Sequence, residues 1–191
     1  MEWKPLERFP AVSATQFTAL PTVLIKMTLL IDPMLPDDWP AVREIYLEGI
    51  ATRQATFETT APSWEAWDAS HLPFARLVAR QAEIVVGWAA LSPASSREVY
   101  AGVAEVSVYV SESQRGLGLG RKLLAALIAA SEENGIWSLQ AGMFPENACS
   151  VALHRSSGFR EVGRRKCIAK LDGVWRDTIL MERRSQKIGF D

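Results

Sequence analysis

The chain has 191 residues, 48% of them hydrophobic and 23% charged, which is enough apolar material for one globular core without a second domain. A formal net charge of -1 supplies no basic field for a phosphate backbone, so nucleic acid is not expected as a partner. Two cysteines, Cys149 and Cys167, and two distant histidines, His71 and His154, offer no disulfide framework and no metal-ligand spacing, so no metal is expected.

In chain order, the apolar residues before Met27 are interrupted by Pro10, Thr15, Gln16, Pro21 and Lys26, which makes neither a spanning helix nor an export signal. No membrane association is expected, and the cytoplasm is the expected location. Residues 1–26 carry no period and read as a poorly ordered extension, with the true start near Met27 and one domain over 27–184. Thr28 to Ile31 reads as a first strand. Asp37 or Asp38, ahead of Pro40, is placed to cap a helix running to about Gly49, whose apolar face is Val42, Ile45, Tyr46 and Ile50. A loop over 52–62 leads to a short helix opened by Pro62-Ser63 and carrying Trp64 and Trp67.

Strands are predicted at Phe74 to Arg80, Ile84 to Ser92 and Tyr100 to Val110, then a strong helix from Leu117 to Ser131 stopped by Asn134-Gly135. A strand at Trp137 to Met143, a helix at Asn147 to Ser156 and strands at Phe159 to Leu171 and Trp175 to Glu182 complete the order. Asp172-Gly173 between the last two is a type I′ hairpin signal, and the residues from 185 to 191 read as a polar tail. The class is α/β (α+β), a mixed sheet flanked by helices.

Between a valine-rich strand and the strongest helix lies Gln114-Arg115-Gly116-Leu117-Gly118-Leu119-Gly120-Arg121. Alternate glycines bracketed by two arginines, with the helix beginning inside the loop, can cradle a pyrophosphate on backbone amides. An ordinary strand-to-helix turn is the competing reading. The spacing is not that of a dinucleotide fold, and no hydroxyl follows Gly120-Arg121-Lys122 as a nucleotide-hydrolysing loop would need.

Arg115-x-x-Gly118-x-Gly120 after a strand and opening a helix resembles the coenzyme A loop of the GNAT acetyltransferases. Asn147-x-x-Ser150 with Leu153-His154-Arg155-Ser156-Ser157-Gly158-Phe159 is similar to that family's second cofactor segment. Ala55 to Thr59 and Ala104 to Val110 resemble the phosphinothricin and methionine sulfoximine/sulfone branch. The resemblance implies a mainly antiparallel GNAT sheet, acetyl-CoA as co-substrate, a small amino-acid-like amine as acceptor, and a homodimer. It implies cofactor contacts at Val108, Tyr109, Val110, Arg115, Gly116, Leu117, Gly118, Leu119, Gly120, Arg121, Asn147 and Ser150. It implies acceptor contacts at Phe57, Glu58, Tyr100 and Ser107.

In that branch the glutamate matching Glu105 is the general base, and amine acetylation requires such a group because the ammonium must lose a proton before nitrogen can attack. Period two puts Glu105, Ser107 and Tyr109 on one strand face and Val106, Val108 and Val110 on the other. A strand glutamate on a solvated face is the plainer alternative. His154 stands where many members carry tyrosine, and either donates a proton to sulfur, binds substrate, or is a half-buried helix histidine. Asn147 fits a pantetheine contact or an N-cap alone. Phe57 packs on substrate or anchors its own loop, and Cys149 reads as a small core residue.

Branch members carry arginine just before the base, where this chain has Tyr100-Ala101-Gly102-Val103, so the acceptor is less specified than the cofactor. Other acceptor classes (a polyamine, an aminoglycoside, a protein N-terminus) and a non-catalytic acyl-CoA-binding module are the competing functions.

Overall fold

A computed structural model describes residues 29–190. The expected extension over 1–26 and the start near Met27 lie outside the described residues.

The elements follow the predicted order: β1 Leu29–Pro33, α1 Trp39–Ala51, α2 Trp64–Ser70, β2 Leu77–Gln81, β3 Ile84–Pro93, β4 Val103–Val110, α3 Leu119–Glu133, β5 Ser138–Met143, α4 Ala148–Ser156, β6 Arg160–Leu171 and β7 Val174–Arg184. They form one sheet in the order β1-β2-β3-β4-β5-β7-β6, antiparallel except between β4 and β5. Asp172 and Gly173 both have positive φ, as the β6–β7 turn demands.

A predicted strand start and a predicted cap differ because residues distant in sequence intervene. Tyr100 is not in β4 but ends a 3-10 turn over Glu98–Tyr100, and β4 begins at Val103. The residue between, Gly102, lies under the ring of Trp137, where any side chain would collide. Asp38 does not cap α1. Its carboxylate accepts from the Leu35 amide at 2.8 Å and from Arg80 at 2.7 Å, so it fixes the entry to the helix from outside. Ser63 does cap α2, accepting from the Ala66 amide at 3.3 Å.

Each sheet face has its own core. On one, α1 and α2 bury Val42, Ile45 and Trp67 against Val78, Trp88 and Ala90. On the other, α3 buries Leu119, Leu123, Leu124 and Leu127 against Ala89, Leu91, Leu139 and Met181. Beyond Arg184 the polar tail is tied down: Ser185 is buried and bonds Glu132 at 3.0 Å, while Arg184 donates to the carbonyls of Trp137 and Ile188.

The feature that creates a site is a parting of strands. Only Val103, Ala104 and Glu105 of β4 pair with β5, although β4 runs on to Val110 and β5 to Met143. Past Glu105 the two strands separate, and β4 stays bonded only to β3. The β4 edge from Val106 to Val110 is therefore without a strand partner and faces a wedge.

Candidate active site

A cleft of about 1270 Å³ follows that wedge, from the glycine loop at the mouth of α3 to the β6–β7 hairpin. Among predicted cofactor residues, Val108, Tyr109, Val110, Arg115, Gly116, Gly118, Leu119, Gly120, Arg121, Asn147 and Ser150 line it. Among predicted catalytic and acceptor residues, so do Phe57, Glu58, Glu105, Ser107 and His154. Two predicted residues do not line it. Leu117 is 71% exposed at the loop tip, and Tyr100 turns to solvent with Arg97 over its ring.

The glycine loop earns its composition. Gly116 and Gly118 have φ of +76 and +80, and a side chain on either would meet nothing within 4 Å, so the loop is both left-handed and bare. The first helical hydrogen bond of α3 runs from the Lys122 amide to the Gly118 carbonyl, leaving the Leu119, Gly120 and Arg121 amides as the orphan donors of the helix start. A Cβ at Gly120 would stand 3.3 Å from the Leu153 side chain, so glycine there lets α3 and α4 converge. Arg115 folds back to the Val110 carbonyl at 3.3 Å and towards Glu48 at 3.8 Å. Arg121 stays free of any ion pair among the described residues.

These features fit a coenzyme A thioester. A phosphate group suits amides at a helix start, and the amide-bearing arm of the cofactor suits an unpaired strand edge, which recruits backbone partners as an added strand would.

On the α1–α2 face the strand alternation holds. Tyr109 stacks on its cross-strand neighbour Trp88, ring centroids 4.7 Å apart, and meets Tyr46 edge-on at 4.9 Å. Burial pushes the phenols of Tyr46 and, more strongly, Tyr109 upwards, so both remain protonated. Glu105 shares this face at the point where β4 and β5 part. Its carboxylate is exposed to the cleft and accepts from Gln140 at 3.4 Å. Across the wedge, Gly142 has no side chain to cover it.

Asn147 is an N-cap. Its Oδ1 accepts from the Ser150 amide at 3.1 Å, and its Nδ2 donates to the Gln54 carbonyl at 3.1 Å, tying α4 to the α1–α2 loop. Phe57 anchors that same loop edge-on to buried Phe144, centroids 4.8 Å apart, while still presenting itself to the cleft.

His154 is not half-buried but 5% exposed. Its Nδ1 lies 2.9 Å from the Ser150 carbonyl, which can only accept, so the ring proton sits there and Nε2 carries a bare lone pair. Burial holds the imidazole below its ordinary pKa. In this state the ring proton is engaged by the Ser150 carbonyl. Cys149 is not a core residue: it is exposed at the cleft wall, because the first turn of α4 faces outward beside its cap.

Sequence reading missed several lining residues. From α2 and β3 come His71 and Ser92, and from the hairpin Arg165, Ile168 and Thr178. No motif marks them; Ser92, Arg165, Ile168 and Thr178 reach the cleft on strands of the sheet, and His71 from the end of α2.

Comparison with known proteins accords with this geometry. The model of the acetyltransferase (GNAT) family matches residues 36–159. The chain is 35% identical to phosphinothricin N-acetyltransferase of Alcaligenes faecalis over 156 residues, covering 77% of this chain and 78% of that one. It is 33% identical to the L-methionine sulfoximine/L-methionine sulfone acetyltransferase of Pseudomonas paraeruginosa, covering 76% and 88%. The crystal structure of a GNAT superfamily phosphinothricin acetyltransferase from Sinorhizobium meliloti in complex with acetyl-CoA superposes with a TM-score of 0.74 at 29% identity, covering 83% of this chain and 89% of that one.

Proposed function

Because the chain belongs to the GNAT family of acetyl-CoA-dependent N-acetyltransferases, we propose that it acetylates the amine of a small amino-acid-like substrate of the phosphinothricin, methionine sulfoximine or methionine sulfone type. The observation that carries this reading is the position of Glu105, a carboxylate open to the cleft where β4 leaves β5, with the glycine loop at one end of the same cleft. The relatives named for those acceptors support the substrate class.

Bound acetyl-CoA supplies an activated thioester carbonyl. Glu105 accepts a proton from the acceptor ammonium, directly or through one water, which frees the nitrogen lone pair for direct attack on the thioester carbonyl; the C–S bond breaks in turn, and coenzyme A leaves as the thiol with the second proton that the nitrogen releases. The free β4 amides between Val106 and Val110 are the backbone donors available to an oxyanion in the wedge. Leu119, Gly120 and Arg121 hold phosphate through their amides, with the Arg121 guanidinium adding charge. Phe57, Glu58 and Ser107 border the acceptor, and His154 contributes shape and a lone pair rather than a proton. The reading also takes residues 27–184 as one catalytic domain, acting in the cytoplasm as a homodimer.

The test is coenzyme A release with a panel of phosphinothricin, methionine sulfoximine and methionine sulfone. Glu105→Gln is expected to lower kcat about 100- to 10,000-fold near neutral pH, the usual range for a general base, with KM for acetyl-CoA unchanged. A variant that keeps full rate across pH sinks the base assignment.

A further inference from the structure

Charge pairing leaves one arginine at the acceptor end of the cleft without a partner. Arg164 pairs with Asp177 at 2.7 Å, Arg176 with Glu146 at 3.1 Å, Arg183 with Glu132 at 3.0 Å and Arg53 with Asp172 at 3.2 Å. Arg184 is saturated by carbonyls, and Arg97 lies over Tyr100 outside the cleft. Among the described residues, only Arg121 and Arg165 combine a cleft position with neither an ion pair nor a hydrogen bond of the side chain. Arg121 sits at the start of α3. Arg165 sits on β6, opposite Thr178 of β7.

The backbone of β6 is shaped around this position. Register passes from Arg165↔Thr178 to Ala169↔Arg176, so residues 166–168 face the single Asp177. The bulge holds Cys167 at φ 48, and the Asp177 carboxylate secures it by accepting the Cys167 amide at 2.8 Å. In an unbroken strand Arg165 and Ile168 would point to opposite faces; here both line the cleft. The Asp177 side chain is committed to the bulge and to Arg164, so it cannot neutralise Arg165. The sheet face carrying Arg165 also carries Glu105, through the partner positions Thr178, Glu182, Gln140 and Glu105. A carboxylate and a guanidinium thus face one cleft from β4 and β6, a charge pattern that suits a zwitterion held by its two ends.

We propose that Arg165 binds the oxyanion of the acceptor, a carboxylate or phosphinate, and thereby sets the preference for anionic amines. This rests on the amino-acid-like acceptor proposed above. The guanidinium fork matches two oxyanion oxygens at once.

The experiment compares wild type with Arg165→Gln and Arg165→Lys on methionine sulfone, its carboxamide and phosphinothricin, reading KM and kcat separately. Arg165→Gln is expected to raise KM for methionine sulfone about 10- to 100-fold, leave kcat and the acetyl-CoA KM nearly unchanged, and leave KM for the carboxamide unmoved. Arg165→Lys restores part of the loss. A loss confined to phosphinothricin assigns the site to the phosphinate instead. Equal losses on acid and carboxamide, a raised acetyl-CoA KM, or no change at all with normal turnover overturns the role of Arg165 and leaves the acetyl transfer standing. Should wild type turn over none of the panel, calorimetric titration of coenzyme A-saturated protein with phosphinothricin decides. Binding by wild type that Arg165→Gln loses supports the inference, equal binding overturns it, and no binding to wild type overturns the acceptor class with it.

Discussion

The two walls of the cleft are made of different materials. Beneath α1 and α2 the wall is a slab of rings, with Trp88 stacked on Tyr109, Tyr46 edge-on to both, and Trp67 edge-on to Trp88. At the starts of α3 and α4 the wall is backbone: bare left-handed glycines, orphan amides and a capping asparagine. The first wall derives its shape from packing that also holds the domain together, and the second from φ angles that matter little to the core. Substitutions on the two should therefore fail in different ways.

The largest effect is expected in the ring wall. Trp88 is 1% exposed, and Trp88→Ala should cost about 3–5 kcal/mol of stability in denaturant titration. Trp88→Phe should cost much less, because it keeps most of the ring volume while deleting an indole N–H buried without a partner. Equal costs for the two variants would show that ring volume at this position does not carry the packing of the wall.

Next comes the backbone wall. Gly118→Val places a β-branched residue at φ +80, a strain of about 1–2 kcal/mol. The expected signature is functional as well: KM for acetyl-CoA rises about tenfold or more while KM for the acceptor holds. A rise in both would mean that the walls are not separable.

The smallest effect is electrostatic and lies at His154, where the helix wall meets the core. Its folded pKa is depressed by burial, so the unfolded chain binds the extra proton first. The penalty is absent above the free imidazole value of about 6.5 and grows as pH falls below it, by at most about 1.4 kcal/mol per unit. Between pH 7 and pH 5, wild type should lose more stability than His154→Asn. Identical slopes would rule out a neutral buried imidazole.

Much of the fold was legible because it is local. The order of strands and helices follows from hydrophobic period, Ser63 and Asn147 cap as their residue types favour, and Asp172-Gly173 makes its turn with both φ angles positive. Boundaries slipped where a distant ring intruded, as at Gly102 under Trp137. Roles slipped where burial or pairing decided them. His154 is buried rather than half-buried, with Nδ1 at the Ser150 carbonyl, Cys149 is exposed, and Asp38 turns to Leu35 and Arg80.

The glycine loop and the alternation that separates Glu105, Ser107 and Tyr109 from the valines were readable from the chain alone. Those depend on neighbours two to four residues apart, whose relation the chain fixes covalently. Long-range packing settled that β4 and β5 part after Glu105, that Arg164 and Arg176 find carboxylates while Arg165 does not, and that a bulge turns Arg165 and Ile168 to the same side. Pairing and register join residues tens of positions apart, and no local pattern encodes which of two charges will be left over.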